Sequence, residues 1–222
     1  MARTKTVALD MIGTTFSLDR LGEELTERGA SPDALPLLFA QTLRDYFAAS
    51  YAGSYVPLRD ALRSSLHRLF VSRDIVHTED EIDSVLSALS ELDPNPGAGD
   101  ALRALGEAGV QVIALTNGGT SLMEALLERA GFSQMVERIV SCDDLGTSKP
   151  HPSVYEAARA VAEGEVWMVA SHAWDIMGAV HAGLRSVWIS GFEKEYPAIF
   201  PPPDAVAPDL EAAAQAVIGF DP

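Results

Sequence analysis

Apolar residues recur along the chain with two different spacings. Between residues 17 and about 90 they repeat at helical spacing, and Leu18 and Leu21, for example, fall on one helix face. Thr78 and Glu81 are spaced as in a capping box, which predicts the start of another helix within this segment. No run in the segment has the pattern of a strand, so the sequence predicts a helical block.

Short apolar runs alternate with helical segments in the rest of the chain. The predicted strands are TVALD (6–10), VQVIALT (110–116), VERIVSC (136–142), VWMVAS (166–171) and SVWIS (186–190). Strands separated by helices of about ten residues are typical of parallel β-α-β units. The pattern therefore predicts an α/β fold whose core is a doubly wound, Rossmann-like parallel sheet.

The helical block interrupts this alternation directly after the first strand. We therefore expect residues 1–16 and 93–222 to form the α/β core and residues 17–92 to form an inserted helical cap domain. The proline-rich segment at 200–208 is predicted to be a surface loop with polyproline character. In doubly wound sheets, ligands bind at the carboxyl ends of the strands, so that edge is where functional residues are expected.

Composition narrows the classes of partner. The chain has 222 residues and a net charge of -16, which argues against binding nucleic acid or an anionic membrane. No apolar run approaches the roughly 20 residues of a membrane span, and no secretory signal is visible. The one cysteine, Cys142, excludes an internal disulfide. A cytoplasmic protein is the resulting prediction.

Polar side chains follow four of the predicted strands. They are Asp10 after the first, Thr116 and Asn117 after the second, Lys149 after the third, and Ser171, His172 and Asp175 after the fourth. Each has an ordinary explanation by itself, since an aspartate before a glycine turn is commonly a turn residue or a helix cap. Their occurrence in order at one predicted sheet edge instead favours a catalytic site.

The segments around these residues resemble the four motifs of the haloacid dehalogenase superfamily of hydrolases. DMIGTT (10–15) is similar to the nucleophile motif, LTNGG (115–119) to the second motif, SKPHPSVY (148–155) to the lysine motif and SHAWDIMGAVHAGL (171–184) to the acidic fourth motif. The lysine motif and the sequence AWD are most similar to the type II 2-haloacid dehalogenases. A helical cap after the first strand is also what this resemblance implies.

The resemblance implies a role for each candidate residue. Asp10 would be the nucleophile that displaces halide from a small 2-haloalkanoic acid, and water would then hydrolyse the aspartyl ester. Lys149 would keep Asp10 ionised, Asp175 would orient water or hold Lys149, and Thr14 would donate a hydrogen bond. The implied substrate-binding residues are Thr116, Asn117, Tyr155, Ser171 and His172. Asp175 is also well placed to stabilise the start of a helix.

Ile12 distinguishes this chain from the phosphatase branch of the superfamily. Phosphatases carry an aspartate at this position for proton transfer, and they bind Mg²⁺ with a carboxylate pair where this chain has Ala170 and Ser171. We therefore expect no metal and no cofactor, although Asp175 leaves a weak Mg²⁺ site conceivable. Two alternatives stay open: a Mg²⁺-dependent phosphatase-like hydrolase of the superfamily, and a catalytically impaired relative that only binds a ligand.

Two positions depart from the type II pattern. Ala40 stands where those enzymes have a cap arginine that binds the halide, and Arg44, one helical turn later, is predicted to take over that role or to be a solvated arginine. His172 stands in place of asparagine and is predicted to narrow the pocket or to bind a different leaving group. An aromatic run that includes Phe39 and Tyr55 is read as core packing, substrate wall or a possible homodimer surface.

Overall fold

One parallel sheet organises the chain, in a computed structural model that describes residues 3–220. Its strands are β1 (Lys5–Asp10), β2 (Gln111–Thr116), β3 (Arg138–Ser141), β4 (Glu165–Ala170), β5 (Arg185–Ile189) and β6 (Ala205–Ala207). They lie in the order β3-β2-β1-β4-β5-β6, and every neighbouring pair is parallel. The order reverses between β1 and β4, so the predicted doubly wound α/β sheet is confirmed.

Helices connect the strands and fill the segment between β1 and β2. They are α1 (Asp19–Glu27), α2 (Ala34–Tyr51), α3 (Leu58–Ser72), α4 (Glu79–Ser87), a 3-10 turn (Ala88–Glu91), α5 (Ala98–Glu107), α6 (Thr120–Ala130), α7 (Cys142–Leu145), α8 (Pro152–Ala160), α9 (Ala173–His181) and α10 (Leu210–Gly219). The capping box is confirmed, because the Glu81 backbone N–H donates to Oγ1 of Thr78 and the Glu81 carboxylate accepts from the Thr78 N–H.

Apolar side chains form three clusters. Val7 and Leu9 of β1 face one cluster and Ala8 faces another, as expected for a strand that is buried on both sheet faces. A third cluster joins α1 to α4, with Leu38 and Leu66 fully buried in it. Burying one leucine side chain stabilises the fold by roughly 1.5–3 kcal/mol, so the helices between β1 and β2 have a substantial core of their own.

The chain leaves the sheet and returns to it at neighbouring points. The Ser17 N–H donates to the Asp93 carbonyl at 2.8 Å, and the Asn95 N–H donates to the Thr15 carbonyl at 2.8 Å. The side-chain amide of Asn95 also donates to the carbonyl of Thr14 at 2.7 Å. These bonds tie the two connections of the helical segment to the loop that follows β1.

The prediction for residues 200–208 needs correction. The segment at 200–208 is not only a loop, because Ala205–Ala207 pairs with β5 as the edge strand β6. The strand is only three residues long and lies between prolines, so its apolar run is too short to predict a strand from the sequence. Within residues 3–220, no helix combines the length and apolarity of a membrane span. Residues 1–2 and 221–222 of the predicted core lie outside the described part of the chain.

Candidate active site

Asp10 ends β1 and lies at the carboxyl edge of the sheet. The chain turns immediately, with the N–H groups of Thr15 and Phe16 donating to the Met11 carbonyl at 2.9 and 2.8 Å. Gly13 sits in this turn with φ of 85°, a left-handed conformation that side chains with a Cβ rarely adopt. The turn leaves Asp10 only 3% exposed, so its carboxylate is presented in a largely dry environment.

Lys149 lies between two carboxylates. Its Nζ is 2.7 Å from Oδ1 of Asp10 and 2.7 Å from Oδ2 of Asp175, and it also donates to the Leu115 carbonyl at 3.1 Å. Lys149 and Asp175 are fully buried. The structure thus brings together three residues from the ends of β1, β3 and β4, as expected at the carboxyl edge of a parallel sheet.

The charges in this group perturb one another. Burial favours the neutral form of Asp10, but the Lys149 ammonium and the hydrogen bond from His172 outweigh it, and the pKa of Asp10 lies below its ordinary value. Burial also opposes the charge on Lys149, yet Asp10 and Asp175 together raise the pKa of that ammonium. Burial raises the pKa of Asp175, since its attraction to Lys149 offsets the penalty only in part. The surroundings thus distinguish the two carboxyl groups, because the pKa of Asp10 is lowered and that of Asp175 is raised.

Thr14 and His172 contact the second oxygen of Asp10. Thr14 Oγ1 donates to Oδ2 at 2.6 Å, and His172 Nδ1 lies 2.9 Å from the same oxygen. The Thr14 hydroxyl in turn accepts from the Ser171 N–H at 3.0 Å, which fixes the direction of its proton. Oδ2 is thus enclosed by two donors, and Ser171 contributes through its backbone.

The His172 ring is held among aromatic side chains. Trp174 stacks on it with a centroid distance of 5.2 Å and an interplanar angle of 19°, and Phe39 and Phe192 lie at 5.6 and 6.1 Å. A Cβ at Gly13 would stand 2.8 Å from Cε1 of the imidazole. Gly13 is therefore needed for the close approach of this ring as well as for the turn.

Tyr155 supports the group from α8. Its hydroxyl donates to Oδ1 of Asp175 at 2.7 Å and lies 3.1 Å from the backbone carbonyl of the same residue. A Cβ at Gly178 of α9 would stand 2.5 Å from the Tyr155 oxygen, so this glycine makes room for the phenol. Burial and the adjacent Asp175 raise the pKa of Tyr155, so it acts as a neutral donor.

Thr116 and Asn117 lie near the group but contact backbone atoms. Thr116 Oγ1 accepts from the Gly118 N–H at 2.9 Å, and Oδ1 of Asn117 accepts from the Lys149 N–H at 3.0 Å. Both side chains thereby shape the loops that carry the catalytic candidates. Neither donates to Asp10 among the hydrogen bonds of the described residues.

Arg44 is the predicted site residue that the structure does not bring to the group. Its side chain is 62% exposed and forms an ion pair with Asp45, with Nε and Oδ1 2.7 Å apart. Ala40 is also exposed. The helical spacing of the two residues was correct, but this face of α2 is turned to solvent. The geometry therefore does not support the predicted anion-binding role of Arg44.

A cavity of about 300 Å³ lies between the helical segment and the loops of the sheet edge. Its floor includes Ile12 and the glycine pair 118–119, and its wall includes Phe39. The remaining lining is mostly leucine and comes from both sides: Leu18, Leu21, Leu58, Leu62, Leu86, Leu89 and Leu122, with the polar Thr42, Arg59, Ser87, Ser90 and Asp143. A largely apolar cavity whose lining includes Ile12, two residues after Asp10, suits a small organic molecule.

Sequence reasoning missed the contacts that α2 and the loop after it make with this edge. Tyr55 donates to Oδ1 of Asp143 at 2.6 Å, and its oxygen lies 3.0 Å from that of Tyr46, which also lies 3.3 Å from the Asn117 carbonyl. The aromatic run in the sequence was the available signal. It predicted packing, and only the tertiary arrangement shows that these hydroxyls connect the helical segment to the sheet.

Comparison with known proteins agrees with this geometry. The family model for haloacid dehalogenase-like hydrolases matches residues 4–183. (S)-2-haloacid dehalogenase 4A of Burkholderia cepacia is 32% identical over 175 residues, which cover 74% of this chain and 73% of that protein. Haloacetate dehalogenase H-2 of Moraxella sp. strain B is 24% identical over 217 residues, covering 96% and 97%.

A solved structure shares the fold over nearly the whole length. It is L-2-haloacid dehalogenase from Xanthobacter autotrophicus with chloropropionic acid covalently bound. The TM-score is 0.87 at 21% sequence identity, with 98% of this chain and 100% of that chain covered. The sheet and the helices that follow β1 therefore have a close structural counterpart.

Proposed function

Because this chain belongs to the haloacid dehalogenase-like hydrolases, we propose that it hydrolyses the carbon–halogen bond of a small 2-haloalkanoic acid. Asp10 is the nucleophile, and the reaction passes through an aspartyl ester. The observation that carries this proposal is the buried Asp10 carboxylate, held ionised by Lys149 at 2.7 Å, with the apolar Ile12 two residues later. The haloacid dehalogenase names of the relatives support the same reaction.

The surroundings of Asp10 suit attack on carbon. A carboxylate is a weak nucleophile in water, and it becomes competent when it is desolvated and aimed at the reacting atom. Asp10 is buried at the end of a rigid central strand, and its depressed pKa keeps it ionised. Ile12 has no proton to give, which suits a halide because halide ions leave without protonation.

Asp175 and Tyr155 act through Lys149. Asp175 binds the ammonium as a second carboxylate, and Tyr155 binds Asp175, so the three contacts keep the cation beside Asp10. The same carboxylate is the candidate to orient the water that hydrolyses the ester. Both roles require the buried position that α9 provides.

We propose that the reaction needs no metal. The Lys149 ammonium lies between the two carboxylates, where a divalent cation would otherwise bridge them. The outer oxygens are also engaged, Oδ2 of Asp10 by Thr14 and His172 and Oδ1 of Asp175 by Tyr155. Mg²⁺ prefers several carboxylate oxygens and water in octahedral geometry, which this donor set does not fit.

The cavity supports a small organic acid as the substrate. Its apolar lining accommodates an alkyl group, and Ile12 connects its floor to the strand end that carries Asp10. We propose the (S)-enantiomer of a 2-haloalkanoate, since the named relative from Burkholderia cepacia is an (S)-2-haloacid dehalogenase. We further propose that residues 17–92 act as the cap over this cavity, with residues 1–16 and 93–222 as the core.

Halide release tests the proposal directly. Purified protein is incubated with each enantiomer of 2-chloropropionate, with fluoroacetate and with p-nitrophenyl phosphate, in EDTA or in Mg²⁺. We expect halide release that resists EDTA and that Asp10→Asn lowers by roughly 10⁴-fold or more. Asp19→Asn, a matched change at an exposed position of α1, serves as the control. Phosphate release that depends on Mg²⁺, without halide release, would overturn the proposal.

A further inference from the structure

The cavity that Ile12 borders is larger than a short haloacid needs. Its volume is about 300 Å³, whereas water, which is about the size of a methyl group, takes up about 30 Å³ in the liquid. The methyl group of a 2-halopropionate would therefore fill roughly a tenth of the space. Packed protein contains few spaces larger than a water molecule, because unfilled space forfeits contact energy. A cavity of this size among apolar side chains is suited to a larger apolar group.

We infer that this cavity binds the alkyl chain of the substrate, and that the preferred substrates are 2-haloalkanoic acids whose side chain has about four to six carbons. At about 30 Å³ per carbon, six carbons would fill roughly three fifths of the cavity. The inference rests on the proposed function. It narrows the substrate from a small haloacid of any kind to one with a chain of medium length.

Two residues connect the cavity with the reactive group. Ile12 lines the cavity and lies two residues after Asp10. Phe39 also lines the cavity, and its ring packs against that of His172 at a centroid distance of 5.6 Å. His172 Nδ1 is in turn 2.9 Å from Oδ2 of Asp10. A chain on the carbon that Asp10 attacks can therefore extend past Ile12 and Phe39 into the cavity.

Several polar side chains of the lining are already engaged with other groups. The Thr42 hydroxyl donates to a backbone carbonyl one turn earlier in α2 at 2.8 Å. The hydroxyls of Ser87 and Ser90 likewise donate to backbone carbonyls three residues earlier, at 2.6 and 2.7 Å. Oδ1 of Asp143 accepts from Tyr55 at 2.6 Å. A polar ligand would find these hydroxyl protons in use, so the walls favour a hydrocarbon chain.

Part of the lining reaches solvent, which sets an upper limit to the useful chain length. The Arg59 side chain is 52% exposed, and Ser87 and Ser90 are also exposed. Leu62 and Leu89 of the same lining are each 5% exposed and belong to its buried part. Carbons that pass the buried part would meet water and gain little. The advantage of a longer chain should therefore level off beyond about six carbons.

Bromide release from a homologous series measures the preference. The (S)-enantiomers of 2-bromopropionate, 2-bromobutanoate, 2-bromohexanoate and 2-bromooctanoate are compared by kcat/KM. Burial of each further methylene should raise kcat/KM by about 3- to 4-fold. The hexanoate has three methylenes more than the propionate, so its kcat/KM should be roughly 30- to 60-fold higher. Equal values of kcat/KM along the series would overturn the inference and leave the proposed function standing.

Variants that narrow the cavity test where the chain binds. Leu62→Phe in α3 and Leu89→Phe in the 3-10 turn each place a ring in the space of the chain. Each should lower the ratio of kcat/KM for 2-bromohexanoate to that for 2-bromopropionate by about 10-fold. The ratio does not depend on the fraction of folded protein. Leu37→Phe, at a partly buried residue of α2 outside the lining, is the matched control. An unchanged ratio in both lining variants, or an equal fall in the control, would overturn the inference.

Binding of unreactive acids separates recognition of the chain from the chemistry. Octanoate and propionate carry no halogen, so titration calorimetry measures their affinities without turnover. Octanoate should bind at least about 100-fold more tightly than propionate, and Leu62→Phe should reduce that difference. Equal affinities for the two acids would overturn the inference alone. Tight binding of octanoate without bromide release from any of the four substrates would refute the proposed function and support the assignment of the cavity to an alkyl chain.

Discussion

Lys149 and Asp10 form a 2.7 Å ion pair that is almost completely shielded from water, with side-chain exposures of 0% and 5%. The pair joins the loop after α7 to the end of β1. Asp175 is the second carboxylate in contact with the ammonium, also at 2.7 Å. Removal of the cation would leave two buried carboxylates facing each other, which is far more costly than the loss of an exposed salt bridge.

Lys149→Met should raise the pKa of Asp10. Burial and the nearby Asp175 both favour the protonated form once the ammonium is gone. Carbon NMR of protein labelled at aspartate Cγ measures this, with Asp10→Asn assigning the resonance. In the wild type, Asp10 should remain ionised as the pH falls through about 3.9, the ordinary aspartate value. Lys5→Met, which removes a cation bound to the Phe220 carbonyl, is the matched control.

The same depressed pKa predicts a pH dependence of stability. A group whose folded-state pKa lies below its unfolded value contributes stability that is present above the unfolded value of about 3.9. That contribution is lost as the pH falls through the folded-state pKa of Asp10.

An Asp10 resonance that titrates identically in wild type and in Lys149→Met would contradict the assigned role of the lysine.

Gly13→Ala should impair catalysis more than a comparable change elsewhere. The new Cβ would stand 2.8 Å from the His172 ring, which must then move away from Asp10. Gly109→Ala is the matched control, since Gly109 has φ of 72° and no atom within 4 Å of an added Cβ. Each change should cost about 1–2 kcal/mol of folding free energy from backbone strain, measured by urea denaturation. Equal halide release by the two variants would show that the position of the ring is unimportant.

Tyr55→Phe should loosen the attachment of the loop between α2 and α3 to the sheet edge. The change removes a 2.6 Å hydrogen bond to the carboxylate of Asp143, a class of bond that contributes roughly 1.5–3 kcal/mol. Since Tyr55 is only partly buried, the lower end of that range is expected for the loss in free energy of unfolding. Tyr51→Phe, at a residue 95% exposed, should change stability little and serves as the control. Identical denaturation curves for both variants would show that the hydrogen bond from Tyr55 to Asp143 does not contribute to stability.

Cys142 should be chemically silent in the folded protein. Burial raises the pKa of its thiol to about 12, so the reactive thiolate is absent near pH 8. A chromogenic thiol reagent should label no thiol in the folded protein and one thiol per chain in denaturant. The raised pKa also means that this thiol favours the folded state below its unfolded pKa of about 8.5, an advantage lost as the pH rises toward 12. Rapid labelling of the native protein at pH 8 would contradict the buried position.

Local sequence patterns predicted the sheet and most of the residues at its edge. Four of the five predicted strands contain a run of at least three apolar residues, a pattern typical of strands buried on both faces. Parallel strands end at one edge, so the sequence predicts that Asp10, Lys149 and Asp175 lie together, and their side chains do meet. Sheet topology and motif spacing are therefore sufficient to predict which residues meet when those residues follow neighbouring parallel strands.

Contacts between separate elements were much less predictable. The face of α2 that carries Arg44 was placed at the site by helical spacing, but spacing does not determine which side of a helix meets the sheet. The packing of Phe39 against His172 and the bond from Tyr55 to Asp143 depend on how two distant segments dock. Such docking is a property of the packed core and leaves no periodic signal along the chain.

The hydrogen bond from Ser17 to Asp93 has a consequence for protein engineering. The bond joins the first and last residues of the helical segment, so the two places where the segment connects to the core lie side by side. The leucine cluster around Leu38 and Leu66 is formed by the helices themselves. We expect that a different module with closely spaced ends can replace residues 17–92, which would change the lining of the cavity while the sheet and Asp10 stay in place.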